Sequence, residues 1–152
     1  MNLAHLLSGA AKSFPDAPAV SIGDRRIYDY AGYGGLAARV ATAMTEKWGL
    51  RPADRVALAM TNNPEYLAVL FAIWRAGLVA VPVNAKLHPR EIAFIASDCG
   101  ARLCIASPIW PARSPPRCLP RRACWFSTTP TGEAVSLRSP AGSRTVSPMT
   151  PP

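Results

Sequence analysis

"NNPEYLAVLFAIWRAGLVAVPVN", residues 62–84, decides the fold. Its middle, Tyr66 to Val83, is apolar for eighteen residues with one charge, Arg75. Two readings compete: a membrane span, or a helix followed by a strand of a soluble α/β protein. A span needs roughly 20 apolar residues, and a charge near its centre costs about 2.5–3.5 kcal/mol on insertion scales. Gly77 and Pro82 would interrupt it as well. The helix-then-strand reading uses the same residues without strain. Asn63 suits an N-cap, Pro64 the first helical position, where its missing N–H is not needed, and Gly77 a helix stop. The sequence therefore predicts a helix over 64–76, with Tyr66, Leu70, Ile73 and Trp74 on one face and Leu67, Phe71 and Trp74 on an adjoining one. "LVAVPVN", 78–84, follows as a buried strand, because a helix apolar over much of its circumference is what a doubly covered sheet demands. No transmembrane segment is expected.

Outward from this stretch the elements continue in order. "RVALAMT", 55–61, alternates Val56, Leu58 and Met60 with small residues after a turn at Pro52, Ala53 and Asp54, and reads as a strand. Strand, helix, strand is a βαβ unit with parallel strands. A second unit follows: a helix from Pro89 to Asp98, with Ile92 and Ile95 or Ala96 on one side and Gly100 past its end, then a third strand in "ARLCIAS", 101–107. The expectation is an α/β fold with three parallel strands and two crossover helices. Leu58, Leu70, Ile73, Val81, Ile95 and Ile105 should be among its most buried side chains. Upstream, "NLAHLLSGAAKSF" reads as a short helix and "AVSIGDRRIYDY" as two strands about a Gly23-Asp24 turn. Asp29 can cap a helix from Ala31 to about Trp48, with Tyr33, Ala37, Val40, Met44 and Trp48 along one stripe. Gly32, Gly34 and Gly35 each cost about 1 kcal/mol relative to Ala in a helix interior, so its first turn is expected to be loose.

Composition divides the 152 residues into two zones. Residues 1–107 hold six prolines and eleven Lys/Arg against eight Asp/Glu, a balance of +3, whereas 108–152 hold ten prolines and six Arg against one acid, a balance of +5. That second zone shows neither a 3.6 nor a 2 period, and its prolines remove backbone donors and break helices and sheets alike. A disordered Pro/Arg-rich tail is the expectation for 108–152. "MNLAHLLSGAAKSF" lacks a basic run followed by a long apolar core, so a cytoplasmic location is expected. Cys99, Cys104, Cys118 and Cys124 match neither the C-x2-C pairs of zinc sites nor a dense disulfide framework and read as free thiols. His5 and His88 have no acidic or cysteine neighbours at ligand spacing and read as surface residues. No metal site is expected.

Taken in order, "RRIYDYAGYGGLAARVATAM", "GLRPADRVALAMTNNPEYLAVLFAIWRAGLVAVPVN" and "KLHPREIAFIASDCGARLCIAS" resemble the start of the adenylate-forming ligases: acyl-CoA synthetases, luciferases and the adenylation domains of peptide synthetases. "IWRAGLVAVPVN" is similar to an early core motif of that AMP-binding superfamily. The resemblance covers residues 1 to about 107 and makes them an incomplete N-terminal subdomain of such a ligase.

The resemblance implies an enzyme family that joins a carboxylate to the α-phosphate of ATP, releases pyrophosphate, and passes the acyl group to a thiol, usually of coenzyme A. It also implies ATP, Mg²⁺ and CoA as the parent family's cofactors. The family's chemistry resides in a Ser/Thr/Gly-rich loop ending in Pro-Lys-Gly, a Thr-Glu pair, a ribose-binding Asp and a C-terminal-domain Lys, all downstream of the matched part. "STTPTGEAV", Ser127 to Val135, has hydroxyls and one glycine but no lysine, and a phosphate cradle needs several glycines for its N–H groups to converge. No catalytic residue is therefore assigned, and this chain is expected to bind none of the three cofactors and to be inactive alone. Lys86, in "VPVNAKL", is the one cofactor-binding candidate, since some family members place a basic residue at this turn near the CoA nucleotide. The expected partners are the remaining ligase domain, as the docking half of a split enzyme, or a second copy through exposed core. The family pattern giving way after "CIAS" to Arg, Pro, Ser and Ala suggests a truncated or frameshifted ligase.

Two other classes fit less well. A flavodoxin-like binding module wants glycine-rich turns at strand carboxyl ends, where this chain has Asn62, Asn63 and Asn84. The net charge of +8 would let the basic tail associate with polyanions, but scattered arginines give association without sequence preference, so no specific nucleic acid is expected.

Overall fold

The computed structural model describes residues 2–107 and the backbone of two further strands, 123–127 and 136–138. In chain order the elements are α1 Ala4–Ser13, β1 Pro18–Ile22, β2 Arg25–Asp29, α2 Tyr30–Thr42, a π-helical turn Ala43–Lys47, β3 Arg55–Ala59, α3 Tyr66–Arg75, β4 Val79–Pro82, α4 Pro89–Asp98, β5 Leu103–Ala106, β6 Ala123–Ser127 and β7 Ser136–Arg138. They fall into two compact units, residues 1–54 with 62–80, and residues 55–61 with 81–152.

In the first unit β1 and β2 form an antiparallel hairpin that turns at Gly23, whose φ of 57° lies in the left-handed region. Asp29 caps α2 as the sequence predicts, its Oδ1 accepting the Gly32 N–H at 2.7 Å. The stripe Tyr33, Ala37, Val40, Met44 and Trp48 is buried throughout. Two expectations about this helix are corrected. It does not run unbroken to Trp48 but passes into the π turn, where the Thr45 hydroxyl bonds back to the carbonyls of Ala41 and Thr42 and competes with the helical ladder. Its first turn is regular from Tyr30 rather than loose. A Cβ on Gly32 would stand 3.0 Å from the capping Asp29 Oδ1, and one on Gly34 3.0 Å from the Ala11 Cβ of α1. These glycines make room for the cap and for a neighbouring helix.

The third helix of this unit begins two residues later than its proline suggests. Glu65 holds the N-cap position without a side-chain capping bond, and the Asn63 carbonyl, not its side chain, accepts the Tyr66 N–H. The stop at Gly77 is as expected: φ is 70°, Leu78 N–H reaches the Ile73 carbonyl and Gly77 N–H the Trp74 carbonyl, a Schellman ending. The face that α3 buries is Ala68, Val69, Ala72 and Ile73, whereas Leu70 is half-buried and Leu67 is 50% exposed. Helices α2 and α3 pack together, and the alanines of α3 permit that approach. Shape at the contact, more than side-chain hydrophobicity, chose the buried face.

The second unit carries the sheet, in strand order β4-β3-β5-β6-β7. Strands β3 and β5 are parallel, with Val56 opposite Leu103 and Leu58 opposite Ile105. The pairing of β4 with β3 is parallel too, since Val79 N–H meets the Asp54 carbonyl and Val83 N–H that of Leu58. On one face Ala57, Ala59, Cys104 and Ala106 pack with Val83 and with Ile92 and Ala96 of α4. On the other, Val56, Leu58, Leu103 and Ile105 are fully buried, the signature of a sheet covered on both sides. The buried-strand expectation for 78–84 is corrected at its centre. As the edge of the sheet, β4 leaves Val79 45% exposed and Val81 half-buried, which also explains how Pro82 is tolerated in it. Ile95 is likewise only half-buried, at the margin of α4's packed face.

Among the described residues no helix is long and apolar enough to cross a membrane. Within the stretch read as disordered the structure describes β6, parallel to β5, and β7, antiparallel to β6. Both lie in windows free of proline, 121–129 and 131–139, the second zone's only such windows of this length. The rest of residues 108–152 lies outside the described residues.

Candidate functional site

Ligands of parallel α/β sheets gather at the carboxyl ends of the strands. There, in the second unit, Thr61 and Ser107 follow β3 and β5 and meet through their side chains. The Thr61 N–H donates to Ser107 Oγ at 2.9 Å, and the two hydroxyl oxygens are 3.0 Å apart. Ser107 is buried. Asn84 follows β4, and its Oδ1 accepts the backbone N–H of Lys86 at 2.9 Å in a tight turn. That turn leaves the Lys86 side chain exposed, a flexible point charge able to pair with a phosphate.

Two residues on, His88 is exposed as the sequence implies, and it has a structural task. It is the N-cap of α4, with Nδ1 accepting the Arg90 N–H at 3.2 Å, while the Glu91 carboxylate accepts the His88 N–H at 2.7 Å. Glu91 also supplies negative charge at the positive end of the helix. Of these groups the Lys86 ammonium is exposed and open to a ligand, while the Thr61 and Ser107 hydroxyls are engaged with each other and the Asn84 Oδ1 with its own turn. Among the described residues no cluster of three or more His, Cys, Asp or Glu could hold a metal ion.

The first unit holds a separate polar cluster around the start of α3. The Tyr28 hydroxyl donates to Glu65 Oε1 at 3.0 Å. The Tyr33 hydroxyl donates to the Pro64 carbonyl at 2.7 Å and accepts the Ala68 N–H at 3.0 Å. The two rings lie 5.4 Å apart, centroid to centroid. Burial, with the Glu65 carboxylate second, pushes the Tyr28 hydroxyl up to about 12. Burial also pushes the Tyr33 hydroxyl up to about 12, with the Ala68 N–H opposing and Glu65 adding to the rise. Both phenols therefore stay protonated and serve as donors, not as bases.

Sequence reasoning named Lys86 and passed over Thr61, Ser107, Tyr28 and Glu65. The Tyr28–Glu65 and Thr61–Ser107 pairs are 37 and 46 residues apart, and no local spacing signals them. Of the cysteines, Cys99 is a thiol at the end of α4, Cys104 is buried in β5, and Cys118 lies outside the described residues, as does the side chain of Cys124. Apart from Ser127 at the end of β6, "STTPTGEAV" lies outside them too.

Comparison with known proteins supplies what this geometry alone does not. Residues 7–143 match the family model described as AMP-binding enzyme, so the match runs past Ser107, where the resemblance in the sequence was drawn to end. The chain is 33% identical over 105 residues to the oxalate–CoA ligase of Arabidopsis thaliana, covering 69% of this chain and 20% of that protein. It is 39% identical over 98 residues to a feruloyl-CoA synthase of Amycolatopsis, covering 64% of this chain and 20% of that one. Among solved structures, the N-terminal domain of FACL13 from Mycobacterium tuberculosis superposes with a TM-score of 0.68 at 29% identity, covering 84% of this chain and 33% of that one. The chain thus spans about a fifth of the length of those two curated relatives.

Proposed function

Because this chain belongs to the AMP-binding enzyme family, we propose that it supplies the N-terminal part of an acyl- or aryl-CoA ligase. The observation that carries this reading is the unbroken series β3, α3, β4, α4, β5 in a parallel sheet, superposing on ligase N-terminal domains at better than 25% identity. In the whole enzyme a carboxylate oxygen attacks the α-phosphorus of ATP, pyrophosphate leaves, and the thiol of coenzyme A then displaces AMP from the acyl adenylate. In this reading ATP and Mg²⁺ are held by groups outside this chain. In the same reading Lys86 contacts a CoA phosphate, which its exposure on a turn following β4 supports. A cytoplasmic location goes with this chemistry, because ATP and CoA are supplied there.

The long-chain-fatty-acid–CoA ligase FadD13 of Mycobacterium tuberculosis, 40% identical over 76 residues covering half of this chain and 15% of that protein, offers a host for the test. Grafting residues 1–107 of this chain in place of the host's matching segment is expected to retain acyl-CoA formation. Lys86→Ala in the graft should raise KM for CoA several-fold and leave the ATP-dependent adenylation half-reaction unchanged. A folded graft without adenylation would overturn the reading, and an unchanged KM for CoA would remove Lys86 from it.

A second reading, the docking half of a split ligase, is favoured by the apolar side chains left in solvent, among them Leu3, Leu6 and Phe14 at 46–64% exposure. It requires that a separately made downstream part restore turnover when mixed with this chain.

A further inference from the structure

The start of α3 holds an imbalance of donors and acceptors. Glu65 is 93% buried, by its 7% relative exposure, and only one of its carboxylate oxygens is engaged, Oε1 by the Tyr28 hydroxyl. The other, Oε2, is buried and receives no hydrogen bond. Two residues earlier in the same turn, Asn63 Oδ1 is also buried and receives none. Neither atom is needed for the helix: Glu65 makes no side-chain cap, and the bond that Asn63 gives α3 comes from its carbonyl. Tyr33, the other buried donor of the cluster, has its hydroxyl committed to the Pro64 carbonyl. The site therefore presents two buried acceptors in one turn, and among the described residues no donor serves either.

We propose that one internal water molecule occupies this turn and donates one hydrogen to Glu65 Oε2 and the other to Asn63 Oδ1. The match is stoichiometric, since water carries two donors and buried waters typically make about three hydrogen bonds to groups of this kind. A cation would also satisfy two oxygens, but a hard ion takes six or more oxygen ligands, and only two stand unengaged here. The water ties the carboxylate that holds Tyr28 to the turn that precedes α3. It is thus part of the link between the β2 hairpin strand and that helix.

The test is a crystal structure of the full chain at a resolution that places waters, with water-to-amide cross-relaxation measured by NMR in parallel. Expected are a single peak 2.6–3.2 Å from both oxygens, the ordinary hydrogen-bond range, and a water cross-peak to the Tyr66 amide that persists after the bulk signal is suppressed. Glu65→Gln, whose side chain can accept from Tyr28 and donate to Asn63 by itself, should abolish that cross-peak with little change in Tm. Glu65→Met should abolish it with a clear fall in Tm. Three results would overturn the proposal: an Asn63 amide turned so that its Nδ2 donates directly to Glu65, an ion with contacts shorter than 2.5 Å, or a cross-peak unaffected in both variants.

Discussion

Tyr33 shows how much a single residue carries in this fold. Its hydroxyl donates to one backbone group and accepts from another, and its ring is buried. Tyr33→Phe leaves the Pro64 carbonyl and the Ala68 N–H unpaired, which should cost about 1–3 kcal/mol in urea unfolding, more than an ordinary surface change. Tyr28 and Tyr33 also define an alkaline limit. Their folded-state values of about 12 lie above the ordinary 10.0, so between those values the folded chain binds more protons than the unfolded one. Stability is then intact below pH 10 and falls as pH rises toward 12. Ultraviolet titration of tyrosinate should show Tyr28 and Tyr33, identified by Phe substitution, ionising only near pH 12 or on unfolding, and ionisation of both near pH 10 would contradict the burial described. At this scale the sequence was legible where partners are local. The Asp29 cap reaches three residues along the chain and was read correctly, while Glu65, with the look of an ordinary first-turn acid, meets a tyrosine that only tertiary structure brings to it.

The elements were legible for the same reason, and misread where packing intervened. Gly77 and Gly100 stop their helices at φ of 70° and 64°, values that glycine reaches without strain. Gly77→Ala should cost about 1–2 kcal/mol. Helix α3 was placed correctly but its buried face was not, because the 3.6 period cannot tell a large apolar side chain facing solvent from a small one facing α2. The helical glycines separate the two effects. A Cβ on Gly9 meets nothing within 4 Å, so Gly9→Ala should stabilise by about 1 kcal/mol through helix propensity alone. Gly34→Ala should destabilise despite the same gain, since its Cβ would stand 3.0 Å from that of Ala11. Urea midpoints that moved in the same direction for both would show that α1 and α2 are not in close contact. Strand β4 was misjudged for a related reason: its run of apolar residues suits a central strand, and its place at the sheet edge is a fact of topology.

At the scale of the whole molecule, the order of elements and the family were readable in residues 1–107, since the helices there are separated by turn residues such as Gly23, Gly77 and Gly100. Beyond Ser107 the described strands β6 and β7 stand in the second zone's two proline-free windows of nine residues, which composition averaged over forty-five residues does not single out. The candidate site was barely legible. Lys86 came from resemblance, and Thr61 with Ser107 emerged only when two parallel strands brought their ends together. Under the proposed function the chain alone is expected to be inactive, because charge developing on a reacting α-phosphate has to be met by positioned donors that the reading assigns to the remaining part of the ligase. Carboxylate-dependent ATP–pyrophosphate exchange by the purified chain, over acetate, medium-chain, long-chain and aryl acids, tests this most directly. The account expects no exchange above background with any acid from the chain alone, and sustained exchange by the chain alone with even one of them would contradict it.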